Sequence, residues 1–248
     1  MRSRIAVLSV CFALAVAAWA GDPWKEKTYK EWDEKDVNKI LGDSPWARVI
    51  SVPAFWRSGG SSIPSVGGRG GGGGAAGEGG GGGEAVSGGT RGGSGGGDTP
   101  VAHFTLRWGS ARTVHEALAR YALLHGAPEA EAAKIIAQPA TEHQLILLGN
   151  DMTPFLRSDE KSLMEKSFVR PRKSKLKIAP SRVEIMRSQD GKRISVIIFH
   201  FAMKSEVGEP VIAADEKTVE FECRTDNASF SASFELQKMV SKAGPDLQ

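Results

Sequence analysis

Cysteine is almost missing from this 248-residue chain: Cys11 and Cys223 are the only two, and Cys11 lies in an apolar run near the start. Loss of that run on export would leave one thiol, which excludes an intrachain disulfide and makes the fold depend on packing. Val219, Phe221 and Cys223 alternate, so the remaining thiol is expected to be buried and inert. Net charge is equally scarce. The formal charge is +3 for the whole chain and drops to +1 when Arg2 and Arg4 go with the first twenty residues, which excludes a global basic field for nucleic acid. After residue 20 no apolar run approaches the roughly 20 residues of a membrane helix, so no transmembrane segment is expected in the mature chain. A phosphate-binding G-x-x-x-x-G-K-[ST] loop is absent throughout.

What is present begins with an address. Arg2 and Arg4 precede an apolar run over residues 5–18, followed by Ala18-Trp19-Ala20 and Gly21, the build of a cleavable export signal over residues 1–20. Cleavage after Ala20 makes the protein periplasmic or secreted. Cys11 follows Val10 inside the run, so no lipid anchor is expected.

Residues 58–98 are roughly half glycine, with almost no large apolar side chain, and read as a disordered linker. Before it lies a tryptophan-rich helical segment, residues 21–57, holding Trp24, Trp32, Trp46 and Trp56. Asp33 can cap a short helix to Leu41, with Asp36 at its third position, Val37, Ile40 and Leu41 as its apolar stripe, and Trp32 and Val37 in staple positions. So short a helix has to cover another surface to persist, and the simplest surface is the rest of the same chain.

After the linker, residues 103–108 alternate as a strand, Thr113 and Glu116 have capping-box spacing for a helix to His125, and a second helix is expected over 128–137. Residues 144–148 read as a buried strand and 158–166 as a short helix. Strands follow at 173–178, 182–187, 193–201, 218–224 and 229–236, with turn signals at Asp190-Gly191 and Asp226-Asn227. The fold class expected is α+β: a short N-terminal helix, a long Gly-rich linker, then a strand–helix–helix–strand unit and an antiparallel meander within residues 99–240, ending in a tail over 241–248.

Trp32, the Asp36-Val37-x-x-Ile40-Leu41 stretch and Asp43-Ser44-Pro45-Trp46 resemble a motif of an uncharacterised family of exported soil-bacterial proteins. Arg107-Trp108, Ile178-Ala179-Pro180-x-x-Val183 and Phe234-x-Leu236-x-x-Met239-Val240 extend the resemblance over most of the folding sequence. The resemblance implies export and a shared scaffold. It implies no activity and carries no catalytic residues, and it marks the glycine tract as an insertion particular to this chain.

Few residues of the chain fall into a recognisable chemical pattern. Gly92-Gly93-Ser94-Gly95-Gly96 matches a nucleophile elbow only in letters, because strand and helix flanks are missing. His115-Glu116 opens like a zinc-protease helix, but Ala119 stands where the second histidine belongs. The other histidines, His103, His125, His143 and His200, are scattered. No catalytic residue, metal ligand or cofactor site is assigned. Candidate partner-binding residues are Trp32, Trp46 and Trp56, as aromatic anchors, and Arg170, Arg172, Lys173, Lys175 and Lys177, read as one basic face of a strand. That face suits sheet-edge protection or an anionic surface; nucleic acid is not expected, since no aromatic stacking positions interleave it. The reading is an exported non-enzymatic interaction or structural module of the cell envelope or exterior, with an envelope protein, a glycan or an anionic lipid surface as partner. The alternative is an exported hydrolase whose site converges only in three dimensions.

Overall fold

The computed structural model describes residues 21–57 and 100–247. The expected export signal and the glycine tract lie outside the described residues, as does Gln248. The described chain is α+β. In order it runs α1 (Pro23–Glu26), α2 (Glu34–Gly42), β1 (Ala47–Pro53), β2 (Val101–Trp108), α3 (Arg112–Leu124), α4 (Glu129–Ala137), β3 (Glu142–Gly149), α5 (Glu160–Glu165), β4 (Ser167–Pro171), β5 (Arg182–Arg187), β6 (Ile194–Ala202), β7 (Thr218–Arg224), β8 (Ser229–Glu235), β9 (Val240–Ser241) and β10 (Gly244–Pro245).

The strands form an antiparallel five-stranded sheet in the order β1-β2-β3-β6-β5, a three-stranded sheet β4-β7-β8 and a small ribbon β9-β10. The two larger sheets meet through inward-facing aromatics. Phe199 meets Phe221 at 5.1 Å between ring centroids, Phe104 meets Phe230 at 4.9 Å, and Trp108 meets Phe234 at 5.2 Å, each edge to face. Alternation along β2, β3 and β7 puts one residue in two into this core, which is why those strands were readable from their pattern. The C-terminal strands are therefore not one meander. The β5-β6 and β7-β8 hairpins join different sheets, because β6 pairs on its other side with β3 while β7 takes β4. The Asp190-Gly191 turn is made with Gly191 at φ 69, a backbone angle that glycine adopts without a Cβ penalty.

The tryptophan-rich segment is part of this core. Asp33 accepts the Asp36 N–H at 2.8 Å and Asp36 answers at the Asp33 N–H, so the expected cap of α2 is present as a reciprocal box. Trp32, Val37, Ile40, Leu41 and Trp46 are all buried in the same apolar cluster as Phe104, Trp108 and Phe199. The only element expected in this segment was the helix to Leu41, and residues 47–53 add β1, paired residue by residue with β2 from Ala47↔Arg107 to Pro53↔Val101. Directly beyond that last pair, the Ala54 N–H donates to the Pro100 carbonyl at 2.7 Å. The described residues that flank the glycine tract thus stand side by side. The tract therefore connects two paired strands, β1 and β2, rather than two separately packed units.

Three further expectations are corrected. Residues 173–178 are not a strand: the chain turns after β4, with the Lys175 N–H on the Pro171 carbonyl at 2.9 Å and Lys175 at φ 57, and only Ile178 returns to bridge Val169. The Thr113–Glu116 box is absent because α3 starts earlier, at Arg112, and its N-terminus is capped from elsewhere. That cap comes from residues 241–248, read as a tail: β9 and β10 fold back, and the buried Asp246 carboxylate accepts the Thr113 N–H at 3.0 and 3.3 Å. The Lys242 N–H also donates to the Trp24 carbonyl at 2.8 Å, tying the two ends of the described chain together.

Candidate functional site

The basic run does not form a face. Arg170 is bound by Glu220, with Nη2 to Oε2 at 2.6 Å, and Lys173 by Asp215. Lys177 lies over the Phe168 ring at 4.3 Å from its centroid, whereas Arg172 and Lys175 extend from the turn into solvent. The aromatic candidates separate as well. Trp32 and Trp46 are 1% and 0% exposed, so neither can touch a partner, and both are withdrawn as binding residues. Trp56 is half-buried and donates its indole N–H to Asp151 at 3.0 Å.

Two histidines make contacts of the kind a hydrolase would use. On the outer face of the five-stranded sheet, Ser51 Oγ and His103 Nδ1 are 3.0 Å apart across β1 and β2. Both residues are exposed, and among the described residues no carboxylate lies within ion-pair distance of His103, so nothing orients the ring as a general base. His200 lies between Glu142 and Glu184, at 3.2 Å from each, with Arg182 donating to its Nδ1 at 3.2 Å. Ser181 beside it donates to Glu142 at 2.8 Å and to the His200 carbonyl, not to the imidazole. This cluster braces the β3, β6 and β5 strands on their solvent side and presents no activated nucleophile. Burial tends to raise the Glu142 pKa, but hydrogen bonds from Ser181 and Arg182 outweigh it and hold the carboxylate below its ordinary range.

A cleft of about 800 Å³ lies between the irregular β6-β7 connection and the C-terminal residues. Its wall comprises Met203, Pro210, Ile212, Ala213, Ala214, Leu236, Met239, Val240, Pro245 and Leu247, with His143, Lys204, Asp215, Glu216, Lys217, Gln237 and Asp246 among them. Local structure dictates this composition. The β6-β7 connection bends back on itself through the Val211 N–H to Met203 carbonyl bond at 3.0 Å, which brings Ile212 over the cleft. Leu236–Lys238 form a single 3-10 turn that releases the chain from β8, and the β9-β10 ribbon then carries Val240, Pro245 and Leu247 to the opposite wall.

The acids of the wall are already engaged. Asp215 is held by Lys173. Glu216 accepts the Lys173, Lys217 and Thr218 N–H groups at 3.0, 3.0 and 3.3 Å, which fixes the entry into β7. Asp246 caps α3, with Arg112 Nε 3.8 Å away, and burial raises its pKa against the lowering effect of the Thr113 hydrogen bonds.

His143 is different. It occupies the inward position of β3 where the sheet's core side opens onto the cleft, is 7% exposed, and touches Trp108 edge to face at 5.6 Å. Burial brings its pKa down to about 4, so the ring is neutral near pH 7. Its Nδ1 is enclosed and has no hydrogen-bond partner. A sealed lone pair is cheaper than a sealed orphan N–H, which favours the tautomer with its proton on Nε2. Sequence reasoning saw His143 only as one scattered histidine. Its placement among inward-facing Leu145 and Leu147 was the available signal, a polar ring in a buried strand position.

Cys223 is fully buried, with burial pushing its thiol up to about 12, and is no nucleophile. Among the described residues no group of three His, Cys, Asp or Glu side chains is arranged to hold a metal ion, and no helix is long and apolar enough to cross a membrane. Comparison with protein-family models, with curated proteins and with solved structures returned no match.

Proposed function

We propose that the chain is an exported, non-enzymatic binding module of the cell envelope or exterior that holds an apolar ligand in the cleft between the β6-β7 connection and the C-terminal ribbon. The observation that carries this reading is the cleft's wall: a volume of about 800 Å³, a majority of apolar side chains, and acids already committed to structural bonds. Pockets of roughly 300–1,000 Å³ with an apolar lining and few polar groups are the usual form of small-molecule sites. The export half of the proposal rests on residues 1–20 alone.

Among the partner classes expected from sequence, lipid chemistry fits such a wall better than a glycan, which needs many free hydrogen-bonding groups. It enters as a molecule taken into the cleft, not as an anionic surface met by the basic run, whose Arg170 and Lys173 are neutralised within the protein. The hydrolase alternative retains only the Ser51–His103 hydrogen bond, which lacks an orienting carboxylate. Titration of an environment-sensitive naphthylamine dye into the protein recovered from the exporting cell tests both halves. Saturable fluorescence enhancement, with a mature mass beginning at Gly21, supports the reading. Absence of dye binding, or an intact Met1 on the cell-associated product, overturns the respective half.

A further inference from the structure

The kind of apolar ligand can be narrowed, on the premise that the cleft is the binding site. We propose that the cleft takes a long-chain carboxylate of the fatty-acid type, with its chain laid along Ile212, Leu236, Met239 and Val240 and its head at the rim against Lys204 and Lys217.

Charge complementarity selects the head. Each acid that lines the cleft already has a counterpart. Asp215 is paired with Lys173, Asp246 has Arg112 Nε at 3.8 Å and accepts the Thr113 N–H, and both Glu216 oxygens accept backbone N–H groups. The two lysines of the same wall have none. Among the described residues no carboxylate stands within ion-pair distance of Lys204 or Lys217, and neither ammonium donates a hydrogen bond. With Asp215 and Asp246 offset by cations from outside the wall, these two lysines face only one acid without a cationic partner, Glu216. The wall therefore carries an excess of positive charge.

The lysines also stand where a head group has to be. Both residues are exposed, yet the backbone of each is fixed to an apolar member of the wall: Lys204 bridges Pro210, and the Lys217 carbonyl accepts the Leu236 N–H at 2.9 Å. An amphiphile with its chain in the recess presents its head at this rim. A cationic head would meet two ammonium groups and find the acids engaged, and a neutral head would leave both lysines unused. A carboxylate pairs with them while keeping part of its water, so it avoids the cost of burying an ion. A phosphate monoester would bring a second negative charge toward Glu216. The volume of about 800 Å³ is that of a site for a drug-sized ligand, which suits one chain rather than a diacyl lipid.

The test uses the chain from Gly21 to Gln248 with an uncharged naphthylamine dye bound, displaced in turn by dodecanoate, dodecylammonium and dodecyl phosphate at pH 7, each below its micelle concentration. The expected result is that dodecanoate displaces the dye at a concentration about tenfold lower than dodecylammonium, as two attractive contacts replace two repulsive ones, and lower than dodecyl phosphate. High salt should narrow the first ratio, because exposed charges are screened. Lys204→Gln with Lys217→Gln should bring it close to one, and Lys204→Glu with Lys217→Glu should invert it. Reading a ratio of two ligands with the same chain cancels any change in the affinity for the chain or the dye.

Equal displacement by the anion and the cation, preference for dodecylammonium or dodecyl phosphate, or a ratio that survives the loss of both lysines overturns the proposal. In each of those cases the dye still binds, so the apolar-ligand reading stands while the carboxylate inference fails. If the dye does not bind, both fall. The comparison on the unmodified chain, at low and high salt, decides the matter even where a lysine variant does not fold.

Discussion

The Asp246 carboxylate caps helix α3 across 133 positions of sequence, accepting the Thr113 backbone N–H at 3.0 Å. A helix N-terminus leaves four N–H groups without intrahelical partners and concentrates positive potential, so an acid delivered there serves both needs. Loss of an N-cap side chain costs about 0.5–2 kcal/mol, and Asp246→Ala should lower the unfolding free energy by that order in urea titration. Removing residues 241–248 should cost more, because it also strips Pro245 and Leu247 from the cleft and releases Lys242 from Trp24. Full stability of that truncation would show that the ribbon is not part of the folded unit.

The glycine tract should be dispensable for stability. The residues that flank it are fixed side by side by Pro53↔Val101 pairing and the Ala54–Pro100 hydrogen bond, so shortening it should change mainly the entropy of closing a loop whose anchors do not move. Closure cost grows as the logarithm of length, and deleting residues 67–97 should therefore stabilise the protein by about 1 kcal/mol or less. A large drop in Tm on that deletion would mean that the tract supplies contacts the fold needs.

Trp32→Ala and Leu41→Ala should each cost about 2–5 kcal/mol and unfold the whole protein in one transition, because both side chains sit in the same buried cluster as the sheet aromatics. Two transitions, with the tryptophan-rich segment melting first, would contradict a single core.

These elements also mark what sequence could and could not reveal. The α2 cap, the β5 and β7 limits and the Asp190-Gly191 turn follow from local rules: a side chain reaching a nearby N–H, alternation on one strand, a glycine at positive φ. Residues 47–53 were given no element of their own, because the strand exists only through its pairing with residues 101–107 on the far side of the tract. The 173–178 stretch failed for the opposite reason: its alternation of lysines with Leu176 and Ile178 imitates a strand, but no neighbour pairs it beyond the bridge at Val169. The cleft was invisible, since its wall is assembled from residue 143, residues 203–217 and residues 236–247, and nothing local announces that they meet. Trp32 and Trp46 were candidate anchors on residue type alone; burial turned them into core.

His143 predicts a pH signature. Burial lowers its pKa from 6.5 to about 4, so between those values the unfolded chain binds a proton that the folded chain excludes. Its contribution is fully present above pH 6.5 and is lost as pH falls toward 4, to an extent of about 3 kcal/mol. His115, also lowered by burial, has the same sign. Urea titrations at pH 7 and pH 4.5 should therefore show a smaller loss on acidification for His143→Phe than for the unmodified chain. An identical loss in both would mean that His143 is not the neutral buried ring described.

The account's central claim is that the cleft at the C-terminal ribbon is the binding site, and blocking it gives the most direct measurement. Val240→Trp places a large side chain in the wall from a position that is only half-buried, so the cleft should fill while the core remains intact. The prediction is a naphthylamine dye affinity reduced at least about tenfold, with Tm within a few degrees of the unmodified chain. Undiminished dye binding by a folded Val240→Trp variant would place the ligand elsewhere and contradict the account.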